Sequence, residues 1–336
     1  GKESRSGNYS LMSRRMKQRL QETLDKKEQA MILLNKRGYA SFIKCESCNE
    51  PIRCPHCDVT LTYHKAENRL KCHLCEYFIP TPRTCPNCGS THLKKIGYGT
   101  QKIEEELEKQ YPEAHIIRFD FDTTRNKNTH LKLLKDFEEH KADIMLGTQM
   151  IAKGLDFSNV TFVGVLMADL SLMVPDFRAS ERTFQLLCQV AGRSGRGEKQ
   201  GTVMIQTFNP EHYAIKAAVK QDYDAFFKEE IAFRKKAKYP PYCHLVSVIV
   251  QSRSPKNVHS IALDISQYLK DHLEKVRIIG PQSTFKMQDI YRERILIKYI
   301  ESKPIYEQLS IIDDYYNRTR KGGVIVACDF NPYSTH

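Results

Sequence analysis

The apolar residues of this chain follow two rhythms, and a cysteine-rich stretch interrupts the first. Ala30-Met-Ile-Leu-Leu34 is an unbroken apolar run of strand length that ends in Asn35-Lys-Arg-Gly38, the pattern of a buried strand of a parallel sheet closed by a turn. After the interruption the pattern resumes at Gly97-Tyr-Gly-Thr100. It then predicts a helix over about 101–110, a strand over 115–119, a helix over about 129–140, strands over 143–146 and 161–166, a helix over about 180–190 and a strand over 202–207. Strands alternating with helices predict an α/β lobe, with a parallel sheet, helices on both faces and functional loops at the strand ends.

Beyond about Asn209 the rhythm changes to two helices, then strand 243–251, helix 256–273, strand 276–280, strand 292–300, helix 303–318 and strand 323–328. In order that is βαββαβ, the ferredoxin-like arrangement, with Pro240-Pro241 as a boundary before it. The chain therefore divides into the start of an α/β lobe (1–40), an insertion (41–97), the remainder of the lobe (98–209) and a C-terminal domain (210–336).

The insertion is rich in short polar turns and poor in aliphatics, so metal must replace the missing core. It holds four Cys-x-x-Cys pairs, Cys45/Cys48, Cys54/Cys57, Cys72/Cys75 and Cys85/Cys88. Thiolates at this spacing grip a tetrahedral ion from one tight turn, and zinc is the natural metal. Five residues separate Cys48 from Cys54, whereas 14 separate Cys57 from Cys72, the length of a hairpin that returns the chain to close a ribbon site. That favours a nested pairing, with Cys54, Cys57, Cys72 and Cys75 on one ion and Cys45, Cys48, Cys85 and Cys88 on the other. A sequential pairing, 45/48 with 54/57, is the alternative. Both sites would be closed, hence structural. His56, His64, His73 and His92 lie nearby as substitute ligands that eight cysteines make unnecessary. A redox switch is a further reading, against which the burial of metal-bound thiolates argues. Cys188, Cys243 and Cys328 stand apart and read as small buried hydrophobes.

With 336 residues and 40% hydrophobic content the chain can bury a sizeable core in two or three domains. No run of about 18 apolar residues and no signal peptide occur, so it reads as cytosolic with no membrane partner, and there cysteine pairs mean metal rather than disulfides. Gly1 in place of Met, and the polar run to Ser10, read as a cut inside a longer protein. The formal net charge is +12, which two zinc sites with eight thiolates lower to about +8. A basic surplus of this size favours a polyanionic partner such as nucleic acid. Arg14, Arg15, Lys17, Arg19, Lys26 and Lys27 crowd one helical stretch, where helical spacing spreads them over a solvated surface.

Asp143-Ile-Met-Leu-Gly147-Thr148-Gln149 runs from a buried strand into a turn and on to Lys153-Gly154-Leu-Asp156. Thr148 and the adjoining amides suit a phosphate of a strand lying across the sheet ends, and Asp156 suits a ribose hydroxyl. Alone these are weak signals. Their weight comes from Gln189-Val-Ala-Gly192-Arg193-Ser-Gly195-Arg196, which sets two arginines three apart at a helix end, with glycines permitting close approach. Phosphoryl transfer needs cations where negative charge spreads over the transferring group, and an arginine from a neighbouring lobe couples hydrolysis to lobe closure.

From Asn35 to about Asp329 the chain resembles the C-terminal half of the bacterial primosomal protein N′ family, the PriA replication restart helicases of superfamily 2. The residues that carry the resemblance are the eight cysteines inserted after Asn35-Lys-Arg-Gly38, the turn Gly97-Tyr-Gly-Thr-Gln101, the strand end Arg118-Phe-Asp-Phe-Asp-Thr-Thr124, Gly147-Thr-Gln-Met-Ile-Ala-Lys-Gly154, and Asp176-Phe-Arg178-Ala-Ser-Glu181-Arg-Thr-Phe-Gln-Leu leading into Gln189 and the arginines. A generic helicase shares the last motif but neither the zinc insertion nor the Asp-Phe-Arg-x-Ser-Glu-Arg run. The resemblance implies a RecA-like helicase lobe 2 over 1–40 and 98–209, carrying motifs IV, V and VI, with an inserted two-zinc ribbon and a ferredoxin-like C-terminal DNA-binding domain.

It also implies roles for single residues. Gly154, Asp156 and Gln189 bind nucleotide and Arg193 and Arg196 act in catalysis, completing a pocket for ATP and Mg²⁺ from the second lobe's side. Thr148, Gln149 and Lys153 touch the translocated strand. The implied activity is an ATP-dependent 3′ to 5′ DNA helicase, both hydrolase and isomerase, monomeric, cytoplasmic and nucleoid-associated, which recognises stalled or abandoned forks and initiates primosome assembly. Its implied partners are branched and single-stranded DNA, the C-terminal tail of single-stranded-DNA-binding protein, and primosome and helicase-loader proteins. The sequence contains no Gly-x-x-Gly-x-Gly-Lys-Thr loop and no Asp-Glu-x-His, so the chain alone is expected to be inactive as an ATPase. The competing reading is a non-catalytic zinc-containing module that binds branched DNA and primosome proteins.

Overall fold

Ser13 opens the first helix by accepting the Met16 amide on its side chain, and α1 (Arg14–Asp25) then turns Met16 and Leu20 into the core. The next element, β1 (Gln29–Leu34), is buried at all six positions. The computed structural model describes residues 10–35, 42–48, 50–57, 59–64, 68–72, 75–96, 100–119, 127–149, 151, 157–174, 176–192, 200–284, 286–318 and 323–333. The insertion contributes β2 (Phe42–Cys45), β3 (Thr62–His64), β4 (Arg69–Lys71), β5 (Phe78–Pro80) and β6 (Leu93–Ile96). The lobe resumes with α2 (Thr100–Gln110), β7 (Ile116–Phe119), α3 (Lys127–Glu138), β8 (Ile144–Gly147), β9 (Val160–Leu166), a 3-10 turn (Ala168–Ser171), α4 (Ala179–Ala191) and β10 (Thr202–Ile205), then α5 (Tyr213–Lys220) and α6 (Tyr223–Ala237).

Among the described residues the lobe's sheet has the order β10-β9-β1-β8-β7, parallel at every pairing. The unbroken apolar run of β1 follows from its central place, since a strand covered on both faces has no polar side. Ala30, Ile32 and Leu34 pack with Met16, Leu20, Ile103 and Leu107 on one face, whereas Met31 and Leu33 pack with Phe137, Phe184, Leu187 and Ile215 on the other. All five strands lie within two residues of the positions the apolar pattern predicts.

The chain falls into two compact units, residues 1–40 with 97–230 and residues 41–96 with 231–336. Residues 210–230 belong to the first of these units. Ala214, Ile215, Ala217 and Ala218 of α5, and Phe226 of α6, sit in the core that covers the parallel sheet. The loss of strand–helix alternation marks the last strand, β10, rather than the edge of the core, because added helices extend a core without adding strands. Pro240-Pro241 accordingly lies inside the second unit, where the Pro240 carbonyl accepts from Arg234.

The second unit contains β11 (His244–Ser252), α7 (Pro255–His272), β12 (Arg277–Ser283), β13 (Tyr291–Tyr299), α8 (Ser302–Asp313) with a π-turn over Asp314–Arg318, and β14 (Ile325–Phe330). Its sheet has the order β12-β13-β11-β14, antiparallel throughout, which is the predicted βαββαβ arrangement. Alternate residues Val246, Val248, Val250, Ile295 and Ile297 pack with Val258, Ile265 and Leu269 of α7 and Ile305 and Leu309 of α8. The insertion belongs to this same unit. Its β2–β6 pair and its β3-β4-β5 sheet enclose a small cluster of Ile43, Ile52, Leu61, Tyr63 and Leu70 among three cysteines.

Candidate functional site

Four turns of the insertion are built alike. The first cysteine of each pair donates its amide to the carbonyl five residues on: Cys45 to Glu50 at 2.9 Å, Cys54 to Val59 at 2.9 Å, Cys72 to Tyr77 at 2.8 Å and Cys85 to Ser90 at 2.7 Å. This closure places both sulfurs of a pair on one side of a tight loop, with Gly89 in the left-handed region at φ +75° where the last loop reverses.

The turns come together in two groups, Cys45, Cys48, Cys85 and Cys88, and Cys54, Cys57, Cys72 and Cys75. Within each group the sulfurs all lie within 4.8 Å of one another, so the nested pairing holds and the sequential one does not. Sulfur separations are 3.6 Å for Cys45–Cys88, 3.8 Å for Cys48–Cys85 and 3.6 Å for Cys54–Cys75. Four thiolates on a tetrahedral zinc with bonds of about 2.3 Å stand about 3.8 Å apart, so both groups fit structural zinc. In the outer group the amides of Cys48 and Ser47 hold the Cys45 thiol down to about 6, whereas, although the Ser90 amide pulls the other way, burial and the neighbouring Cys45 and Cys48 sulfurs push the Cys88 thiol up to about 12. In the inner group burial dominates and pushes the Cys54 thiol up to about 12 and the Cys57 thiol up as well, against the pull of the Gln288 amide on Cys57. A dication held by these four sulfurs would supply the charge compensation that burial removes.

Among the described residues neither group takes a histidine. His56 pairs with Asp289, His92 meets Ser90, His64 lies on β3, and His73 falls outside the described residues. Cys188, Cys243 and Cys328 stand away from both groups, and burial raises each thiol.

In the lobe, Gly147 ends β8 in a place only glycine fits, since a Cβ there would stand 2.4 Å from the Phe119 carbonyl oxygen and 2.7 Å from Ile151 Cγ2. The chain then releases Thr148 and Gln149, both half-buried, at the carboxyl end of the strand. Asn35, 1% exposed at the end of β1, ties this end of the sheet together. Its Oδ1 accepts from Gln149 Nε2 at 3.1 Å and from the Ser171 hydroxyl at 3.0 Å, while its Nδ2 donates to the Ala168 carbonyl at 2.8 Å. The sequence marked Asn35 only as the start of a turn. Its role in joining the ends of three strands depends on β1 lying between β8 and β9, which no local pattern reveals.

Asp169 was likewise not legible. Its buried carboxylate accepts from the Thr207 hydroxyl at 2.5 Å and from the Phe208 and Asn209 amides at 2.7 and 3.1 Å, securing the chain after β10. At the start of α4, the buried Asp176 accepts the Arg178 amide and lies 3.6 Å from the Arg182 guanidinium. Gln189 lies exposed near the other end of α4. Lys153, Gly154, Asp156, Arg193 and Arg196 fall outside the described residues.

Three family models match the chain. Residues 54–80 match the PriA DNA helicase Cys-rich region domain, 92–198 the helicase conserved C-terminal domain, and 235–333 the primosomal protein N C-terminal domain. The replication restart protein PriA of Bacillus subtilis is 47% identical over 98% of this chain and 42% of its own length. That of Chlamydia pneumoniae is 42% identical over 89% of this chain and 41% of its own. The chain thus spans well under half the length of these relatives. The Pyrococcus furiosus Hef helicase domain superposes with a TM-score of 0.29 at 16% identity, over 62% of this chain and 27% of that one, too slight a likeness to carry weight.

Proposed function

Because this chain belongs to the PriA family of replication restart proteins and spans less than half the length of the relatives it matches, we propose that it forms the second motor lobe, the zinc ribbon and the C-terminal DNA-binding domain of an ATP-dependent 3′ to 5′ DNA helicase. The union in one chain of the helicase C-terminal domain, the cysteine-rich region and the primosomal C-terminal domain carries this reading. The helicase C-terminal domain alone does not distinguish a restart helicase from other motors.

Each part has a role in the proposal. Mg²⁺-bound ATP supplies the phosphoryl transfer that drives strand movement. Gly154, Asp156 and Gln189 hold the nucleotide from the second lobe's side, and Arg193 and Arg196 stabilise the charge that develops on the transferring group. Thr148, Gln149 and Lys153 contact the translocated strand. The hydrogen bond from Gln149 to Asn35 supports this, since it ties the contact loop to the central strand and gives displacement of that loop a rigid element to act on. The net charge of +12 supports an electrostatic hold on branched and single-stranded DNA. The two zinc ions hold the ribbon. The protein works as a cytoplasmic, nucleoid-associated monomer at stalled or abandoned forks, with the tail of single-stranded-DNA-binding protein, primosome proteins and helicase loaders as partners.

The chain alone is inactive as an ATPase, because the phosphates and Mg²⁺ take their main ligands from a Walker-loop lobe, a pattern its sequence does not contain. DNA-stimulated ATP hydrolysis, measured on this chain and on the same chain joined to such a lobe, tests the proposal. Turnover only in the joined protein is expected. No turnover in either would leave the chain a DNA-binding scaffold.

A further inference from the structure

The loop between β12 and β13 reaches the inner metal group. Met287 and Ile290 exchange backbone hydrogen bonds at 3.1 and 3.0 Å, enclosing a two-residue turn of Gln288 and Asp289. Both residues have positive φ, 53° and 60°, which a type I′ turn requires and which normally selects Asn and Gly. Glutamine in that conformation is strained, and strain of this kind persists only where surrounding contacts enforce it.

Here the contacts all lead to one knuckle. The Gln288 amide donates to the Cys57 sulfur at 3.3 Å. The Asp289 amide donates to the His56 carbonyl at 2.9 Å, and the Asp289 carboxylate lies 2.6 Å from His56 Nδ1. Lys286 Nζ donates to the Pro55 carbonyl at 2.8 Å, and Met287 packs against the small apolar cluster of the ribbon. Three consecutive residues of the knuckle, Pro55, His56 and Cys57, are thus held by a segment more than 200 residues away in sequence.

We propose that the Gln288-Asp289 turn is a working part of the inner metal site, a clamp supplied by the C-terminal domain that retains the inner ion and makes ribbon and C-terminal domain one mechanical body. Amide-to-thiolate hydrogen bonds orient metal ligands and spread their charge, and losing such an outer-shell partner typically costs about 10- to 100-fold in metal affinity. The outer group has its own amides from its own turns and gains nothing from this loop.

The test uses the zinc-loaded protein, with chelator-driven release followed by a metallochromic dye. Asp289→Lys sets a cation against Lys286 and opens the clamp, whereas Asp289→Asn keeps the turn and a side-chain hydrogen bond. One of the two ions should leave at least about tenfold faster from Asp289→Lys, the other at the wild-type rate, and both at the wild-type rate from Asp289→Asn. In the protein loaded with cadmium-113, the Gln288 amide proton should show scalar coupling to the inner metal. Unchanged release of both ions from Asp289→Lys would overturn the clamp, as would faster release of both together or absence of that coupling in the wild-type protein.

Discussion

The side-chain amide of Gln149 donates to Asn35 Oδ1 across 3.1 Å, joining the loop after β8 to the end of β1 at the middle of the sheet. Asn35 satisfies three side-chain hydrogen bonds in a dry environment. Asn35→Leu keeps the size of the residue and leaves the Ala168 carbonyl, the Ser171 hydroxyl and the Gln149 amide without this partner. The loss should be about 2–4 kcal/mol of lobe stability, since buried polar groups left unpaired cost about 1–3 kcal/mol each and some recover water. Chemical denaturation of the two proteins gives the answer, and a difference under about 0.5 kcal/mol would show that the junction is dispensable.

His212 caps α5, its Nδ1 accepting the Ala214 amide at 3.2 Å. Burial holds its pKa below the ordinary histidine value. An accepting nitrogen must be unprotonated, so the folded state favours the neutral ring. The contribution is therefore fully present above the unfolded pKa of about 6.5 and is lost as pH falls through the lower folded value. His212→Asn keeps a capping acceptor and should flatten the fall in stability between neutral and mildly acidic pH. An unaltered pH profile in the variant would remove His212 from that dependence.

Metal analysis should find two zinc ions per chain. Cys54→Ser should release one and leave the outer site occupied at least in part, because the two groups close separately. A stoichiometry of one in the wild-type protein would contradict the pairing, and loss of both ions from Cys54→Ser would contradict their independence.

DNA binding should be insensitive to base sequence and should weaken as salt rises, with a slope of about −0.7 in log–log form for each single-strand phosphate neutralised. Fluorescence anisotropy across a salt series measures it. A flat salt dependence would mean that the surplus of basic residues serves solubility instead.

In a protein that carries both motor lobes, Arg193→Ala or Arg196→Ala should lower DNA-stimulated ATP turnover by roughly 10³-fold or more while DNA affinity changes little. The asymmetry follows from charge that develops only during transfer. Unwinding at close to the wild-type rate without Arg196 would remove the arginine motif from the mechanism.

What could be read along the chain was whatever is settled within a few residues. A strand buried on both faces needs an unbroken apolar run, so β1 was visible at 30–34. Each Cys-x-x-Cys turn closes through an amide reaching five residues on, so four knuckles and their metal were visible too. Pairing of the knuckles was legible at one remove, because the 14 residues between Cys57 and Cys72 suit a hairpin return. That α5 packs on the parallel sheet through Ala214, Ile215 and Ala218 was not legible, because a helix's sequence does not say which neighbouring core receives its apolar face.

The tertiary structure alone decided the contacts that no local pattern encodes. Asn35 gains its three partners only because the parallel sheet sets β1 between β8 and β9. Gln288 meets Cys57 across 231 residues of sequence, through a turn whose strained backbone is held by the knuckle it grips. Local spacing specifies how a segment bends and what it can bind, because those energies arise within one turn. Which distant segment arrives to complete it is set by the packing of whole sheets and helices, where each contact is stable only if all the others form.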